Sequence, residues 1–204
     1  LACRVAEAAV KAAGEYGIPV TAKIRAGWDA NSRNAVEVAR GLESAGVAAI
    51  TVHGRTRNQM YSGLSDNGII AEVKAAVGVP IIGNGDVVDG PSAMKMFDET
   101  GCDFIMVGRG ALGNPWIFRE CNALWKGEEL PAPPTLDEKI DMMIRHFNGL
   151  FAEKGERVAV NEMRKHVGWH TKGVPNSAEF RRRINEVNDA KTLLERFEML
   201  KSRG

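Results

Sequence analysis

Four short apolar runs, over 20–25, 48–53, 79–82 and 103–107, recur along this chain with helical patterns between them. None alternates polar with apolar residues, which is the pattern of a parallel strand buried on both faces. In the intervals, Ala35, Val38, Ala39, Leu42 and Ala45 keep a helical spacing that stops at Gly46, a candidate left-handed cap. Ile69, Ile70, Val73, Ala76 and Val77 do the same up to Gly78. The third interval opens on Asp89, which can accept the free N–H groups of a first turn, carries Pro91 within that turn and ends at Gly101. The strand ends therefore fall at Arg25, His53, Asn84 and Gly108, spaced by 28, 31 and 24 residues. A repeating βα unit of this length implies a parallel sheet whose right-handed crossovers bring the carboxyl ends of all four strands to one rim. Lys23, Arg25, His53, Arg55, Asn84, Asp86 and Arg109 are expected to converge there.

At 204 residues and 44% hydrophobic content, the chain can bury one full core, or one core with a small appendage. It is too short for a complete eight-fold barrel plus a second domain. It begins at Leu1, and Leu1, Val5, Ala8, Ala9 and Ala12 read as the apolar stripe of a helix already under way, so a fragment lacking its amino-terminal part is expected. No stretch approaches the roughly 18 to 20 apolar residues of a membrane span, which makes a cytoplasmic protein the default. Cys3, Cys102 and Cys121 are odd in number and widely separated, a pattern of reduced thiols rather than of disulfides or a zinc site.

A second regime begins at Pro131-Ala132-Pro133-Pro134, a stiff linker that no helix or central strand tolerates. Beyond it only helical patterns follow. Thr135 and Glu138 form a capping box, with Ile140, Met143, Ile144, Phe147, Leu150 and Phe151 as an apolar face behind it. Further helices are expected over 157–169 and 177–201. The reading is a first domain over 1–130 and an all-α domain over 131–204. The second carries 14 Lys and Arg against 11 Asp and Glu, whereas the first carries 13 against 15. A basic tail is where a polyanion docks, although a solvated helical surface explains the asymmetry equally well.

Two glycine-centred turns carry the clearest chemistry. Gly83-Asn84-Gly85-Asp86 and Gly108-Arg109-Gly110 each follow a strand, and glycine lets backbone N–H groups approach an anion closely. Arg109 adds a guanidinium fork suited to phosphate oxygens. Paired on neighbouring strand ends, the two turns match the phosphate site that barrels build after their last two strands. Lys23 lies inside an apolar strand on the same side as Arg25, where it meets either a structural carboxylate or a polar, electron-accepting ring. His53 closes the second strand, at a position where side chains take part in chemistry. His166 and His170 stand four apart on a helix, yet no third ligand is evident and no metal is expected.

The runs Val20-Thr21-Ala22-Lys23-Ile24-Arg25-Ala26-Gly27-Trp28, Thr51-Val52-His53-Gly54-Arg55-Thr56-Arg57, Gly83-Asn84-Gly85-Asp86 and Gly108-Arg109-Gly110-Ala111-Leu112-Gly113-Asn114-Pro115-Trp116-Ile117-Phe118 together resemble the FMN-dependent tRNA-dihydrouridine synthases. Arg164-Lys165-His166-Val167-Gly168-Trp169 and Phe180-Arg181-Arg182 resemble the helical domain of the bacterial form. The resemblance implies an α/β fold, the carboxyl-terminal half of a (β/α)8 TIM barrel, followed by a small helical domain that grips tRNA. In such enzymes FMN, reduced by NADPH, delivers hydride to C6 of a tRNA uridine, and a cysteine donates a proton to C5. Carried over by motif, Lys23 contacts the isoalloxazine ring and His53 lies close to flavin and uridine. Asn84, Gly85, Asp86, Gly108 and Arg109 hold the ribityl phosphate. Arg55, Arg164, Lys165, Arg181 and Arg182 face tRNA, with Arg183 beside them, although three successive arginines cannot all face one surface. The family's proton-donor cysteine lies in an Asn-x-Gly-Cys-Pro loop upstream of the lysine strand, and this chain contains no such loop. The fragment alone is expected to be inactive, with open strand edges that need cover or self-association. Two other readings stay open: an FMN- or phosphate-binding barrel oxidoreductase acting on a small metabolite, and a non-catalytic RNA-binding fragment.

Overall fold

The computed structural model describes residues 1–175 and 177–201. Two compact units form, one of residues 1–110 and 120–129, the other of 111–119 and 130–204.

In the first unit, strands β1 (Thr21–Arg25), β2 (Ala49–His53), β3 (Ile81–Asn84) and β4 (Phe104–Met106) make one parallel sheet in chain order. Arg25 pairs in register with His53, His53 with Asn84, and Asn84 with Met106. The four strand ends thus stand level, as the repeating unit requires. The apolar runs are not uniformly buried, however. β2 is buried along its last four residues, whereas Thr21 and Lys23 of β1 and Phe104 of β4 are exposed. β1 and β4 each have a strand neighbour on one side only, so the expectation of burial on both faces holds for the inner strands and fails at the outer ones.

Helices α2 (Ala35–Ser44), α3 (Asn67–Ala76) and α4 (Gly90–Thr100) fill the intervals. Each buries an apolar face: Ala35, Ala39 and Leu42 on α2, Ile69, Ile70 and Val73 on α3. Asp89 accepts the Ser92 N–H and Ser92 answers with its hydroxyl, a full capping box, and Gly101 ends α4 in the left-handed region. By contrast α3 ends through an extended Val77; Gly78 and Val79 instead donate their N–H groups to the Glu43 carboxylate. Helix α1 (Ala2–Gly14) forms, but on a different face from the one expected. Cys3, Ala6, Val10 and Ala13 are half-buried, Cys3 against Gly41 and Val10 against Gly46, while Leu1 and Val5 are 95% and 62% exposed. Alanine on every side leaves such a helix no unique stripe. Helix α5 (Ile117–Trp125) follows a single 3-10 turn at Arg109–Ala111.

In the second unit, α6 (Leu136–Lys154) starts on the Thr135–Glu138 capping box and buries Ile140, Met143 and Phe147; Phe151 lies outward, 42% exposed. α7 (Glu156–His170) packs against it with Val160, Met163 and Val167. The stretch expected as one helix over 177–201 is two, α8 (Ser177–Ile184) and α9 (Ala190–Lys201). Apolar spacing runs on through Val187, but Asp189 accepts the Thr192 N–H and starts a new helix. Arg164 closes the break by donating to the Val187 carbonyl and the Asn188 side chain.

The seam between α6 and α7 carries three histidines. The His146 ring meets those of His166 and His170 edge-on at 4.4 and 5.6 Å, with His146 Nδ1 3.3 Å from His170 Nε2. His170 Nδ1 is buried without a partner. Burial, then the charges of His146 and His166, lowers the His170 pKa to about 4; burial lowers the other two as well. A fold that favours neutral imidazole is fully stabilised above the ordinary histidine pKa and loses that stability as pH falls through the folded value. The helical unit should therefore weaken between about pH 6.5 and 4. An NMR titration of His170 should show a midpoint near 4, and a midpoint at the ordinary value would remove this account.

Candidate functional site

The level strand ends deliver Lys23, Arg25, His53 and Asn84 to one cavity of about 420 Å³, completed by Ile24, Tyr61, Gly85, Gly108 and Arg109. Three of the lining residues are cations and none is a carboxylate. Alternation along β1 puts Lys23 on the same side as Arg25. Its ammonium donates to the Asn84 side-chain oxygen at 2.8 Å, and the Asn84 amide nitrogen donates to the Met106 carbonyl at 2.8 Å. Burial, with the Arg25 charge, holds the Lys23 pKa below its usual value.

His53 is 7% exposed. Burial first, then the charges of Arg25, Lys23 and Arg55, pushes its pKa down to about 4, against a smaller opposing pull from Asp86. At neutral pH it is an uncharged imidazole among cations, able to donate or accept one hydrogen bond at each nitrogen.

Arg55 and Asp86 do not line this cavity. They form a bidentate pair, both N–O distances 2.8 Å, with the guanidinium nearly buried. Arg55 also donates to the carbonyls of Gly63 and Ser62, and Asp86 accepts the Ser65 N–H at 2.8 Å. Buried at 2% exposure and with these donors engaged, Arg55 has no face left for an RNA strand. Asp86 likewise serves the protein rather than a phosphate. Burial raises its pKa, but the Arg55 and Ser65 hydrogen bonds and the Arg55 and Arg109 charges outweigh that and hold it below the usual range. An ionised carboxylate repels a phosphate. Its one outward relation is to Arg109, 3.6 Å away. Asn84 lines the cavity with its amide engaged at both ends, so of the five residues expected around a phosphate, Gly85, Gly108 and Arg109 line it without such an engagement.

Arg109 is half-exposed and stacks on the Tyr61 ring at 4.3 Å. Tyr61 was not legible in the sequence. It sits in the loop between β2 and α3, which Arg25 folds inward by donating to the carbonyls of Thr56 and Met60. At Gly108, nothing lies within 4 Å of where a β-carbon would stand, leaving the backbone open, whereas at Gly85 that position is filled at 2.5 Å by the Ser65 hydroxyl, itself buried without a partner.

Apart from Arg55, the cations expected to face tRNA lie in the second unit and differ in availability. Arg164 is engaged in closing the α8–α9 break, and Arg181 donates to Ser177 and Thr171 hydroxyls within its own unit. Arg182 and Arg183 share Glu179 while remaining largely exposed, and Lys165 is exposed over the Trp169 ring. Among the described residues no group of three or more metal-ligating side chains has the geometry to hold a metal ion, and no helix is long and apolar enough to cross a membrane.

A parallel α/β sheet with a cation-lined, carboxylate-free cavity at its strand ends has the charge to suit an anionic ligand, at the place where such folds usually bind ligands. Residues 1–203 match the family described as dihydrouridine synthase (Dus), and the chain belongs to that family. It is 44% identical over 189 residues to a probable tRNA-dihydrouridine synthase of Rickettsia conorii, covering 93% of this chain and 56% of that protein. It is 43% identical over 199 residues to tRNA-dihydrouridine synthase B of Xanthomonas axonopodis pv. citri, covering 96% and 59%. The enzyme of the same name from Pseudomonas aeruginosa is 42% identical over 190 residues, covering 93% and 56%. The chain thus spans little more than half the length of the curated relatives it matches.

Removing the half-buried Asp86 carboxylate leaves the buried Arg55 guanidinium without its compensating charge. Asp86→Asn is expected to destabilise the first unit by about 3 kcal/mol, within the range for such a loss. Urea unfolding curves measure it, and a change within about 0.5 kcal/mol would show the pair to be dispensable.

Proposed function

We propose that this chain is the flavin- and tRNA-facing part of a tRNA-dihydrouridine synthase, reducing uridine in tRNA to 5,6-dihydrouridine with FMN and NADPH as reductant. The observation that carries the reading is the cavity at the level strand ends, lined by Lys23, Arg25 and Arg109 and by no acid. Under this reading residues 1–130 supply the FMN-binding domain, as the carboxyl-terminal half of a TIM barrel, and 131–204 a tRNA-binding domain. The single neighbours of β1 and β4 and the 57% exposure of Phe104 support further strands, from the same protein or a second copy, at both edges.

The residues present fit FMN. The open backbone at Gly108 and the free donors of Arg109 would hold its phosphate, with Gly85 as the facing wall. When bound, the flavin supplies the hydride. Lys23, tethered by Asn84, is held where its remaining N–H groups can stabilise negative charge developing on a polar ring. His53, neutral and half enclosed by cations, orients a ring or base edge by hydrogen bonding without adding a charge. None of the described cysteines lines the cavity. Of the cations that the resemblance assigns to tRNA, Lys165, Arg182 and Arg183 are exposed and would meet its phosphates, giving affinity with little sequence information.

Arg109→Ala is expected to weaken FMN binding by about 1.5 to 3 kcal/mol, the scale of a charge-assisted hydrogen bond. Flavin fluorescence titration reads this, and an unchanged affinity would remove Arg109 from the phosphate. Replacing Lys165, Arg182 and Arg183 together by alanine should lower the slope of log affinity for tRNA against log salt by about two to three. An unchanged slope would place the RNA elsewhere.

A further inference from the structure

Beside the cavity, the loops after β1 and β2 are stitched into one another. Ala26 donates its N–H to the carbonyls of His53 and Arg55, Arg57 donates to Gly27 at 2.8 Å and Asn58 to Trp28 at 2.9 Å. Gly27 also lets the loop after β1 fold back on itself, because a β-carbon there would collide with the Ser32 carbonyl and the Arg33 backbone. The ladder fixes two side chains next to one another: the Arg57 guanidinium lies over the Trp28 ring, 5.4 Å from its centroid. Both are exposed, Trp28 at 61%.

A tryptophan buried for packing alone would not stand so far in solvent, and a guanidinium serving the fold would hold a carboxylate. The Arg57 guanidinium has no carboxylate partner among the described residues; its hydrogen-bond contact there is with the Met60 sulfur, at 3.6 Å. The acids nearby are engaged: Asp29 accepts from Ser32 and from the Asn31 N–H, and Asp66 is paired with Arg33. An exposed indole capped by an uncompensated guanidinium, on a backbone held by four hydrogen bonds, is complementary to a neutral π face with an anionic group attached beside it.

We propose that Trp28 and Arg57 form a stacking platform for an unpaired nucleobase of an RNA strand, the base on the open indole surface and its phosphate on Arg57. Trp28 follows the cavity-lining Arg25 by three residues and Arg57 follows His53 by four, so at roughly 3.5 Å per residue both lie within reach of a nucleotide flanking one seated in the cavity. The inference rests on RNA being the substrate of that cavity. It adds a subsite that contributes affinity through stacking, with little preference among bases because every base offers a π face.

The test measures the full chain binding a short single-stranded RNA of mixed sequence and a double-stranded RNA of equal length, by fluorescence anisotropy across a salt series. Trp28→Ala should weaken the single strand about ten-fold, leave the duplex unchanged and keep the salt slope; Trp28→Phe should retain most of the affinity. Arg57→Ala should weaken both RNAs and reduce the salt slope by about one. Equal single-strand affinity for the unsubstituted chain and Trp28→Ala overturns the platform, as does equal loss on both RNAs, or no single-strand binding at low salt. A parallel FMN titration separates the two readings. Flavin binding that persists while Trp28→Ala has no effect leaves the cavity assignment standing, whereas a Trp28 effect without flavin binding leaves the platform and removes the flavin.

Discussion

The first unit's rim depends on one ion pair, a buried guanidinium on a half-buried carboxylate. Arg55 leaves β2 and meets Asp86 from the turn after β3, and the same guanidinium gathers the carbonyls of Ser62 and Gly63. Two strand ends and the loop between β2 and α3 are thereby joined at a single charge. Such a pair is stable only when both ions are fully hydrogen-bonded, because desolvation otherwise exceeds the attraction. Here Ser65 supplies the further donor. Asp86 compensates Arg55 closely and Arg109 only at 3.6 Å, which leaves Arg109 directed by an acid yet not neutralised by it.

The balance of charge at the rim follows from this division. The acid stands behind the wall and the cations in front of it, so the cavity presents Lys23, Arg25 and Arg109 without opposing charge. His53 stays neutral in that field because protonation would add a fourth positive charge in a place water scarcely reaches. Tyr61 limits the freedom of Arg109 by covering one face of its guanidinium.

Much of this arrangement was legible from the sequence, for a physical reason. Strand ends were found because a parallel strand needs an apolar run and a helix return of nearly constant length; Arg25, His53 and Asn84 then fell level without further information. Caps at Asp89 and Thr135 were equally readable, being local to one turn. Features decided by distant partners were not. Arg55 read as a free rim cation because its acid stands 31 residues away, and the three-histidine seam needs α6 and α7 to be packed before it exists. The break after Ile184 was hidden because Val187 continues the apolar spacing that Asp189 then interrupts. Tyr61 belongs to a loop whose path is set by Arg25, and no local pattern announces it.

Asn84 links three strands through one amide, with Lys23 donating to its oxygen and its nitrogen donating onward to the Met106 carbonyl. Every hydrogen in that chain points the same way, from β1 toward β4, and an amide is the neutral side chain that can accept at one end while donating at the other. An aspartate of the same shape would set an acceptor against the Met106 carbonyl, and a leucine would leave the lysine without an anchor. The rim is thus polarised along one axis, each bond sharpening the next. A lysine so tethered spends one ammonium hydrogen on Asn84 and keeps two for other acceptors.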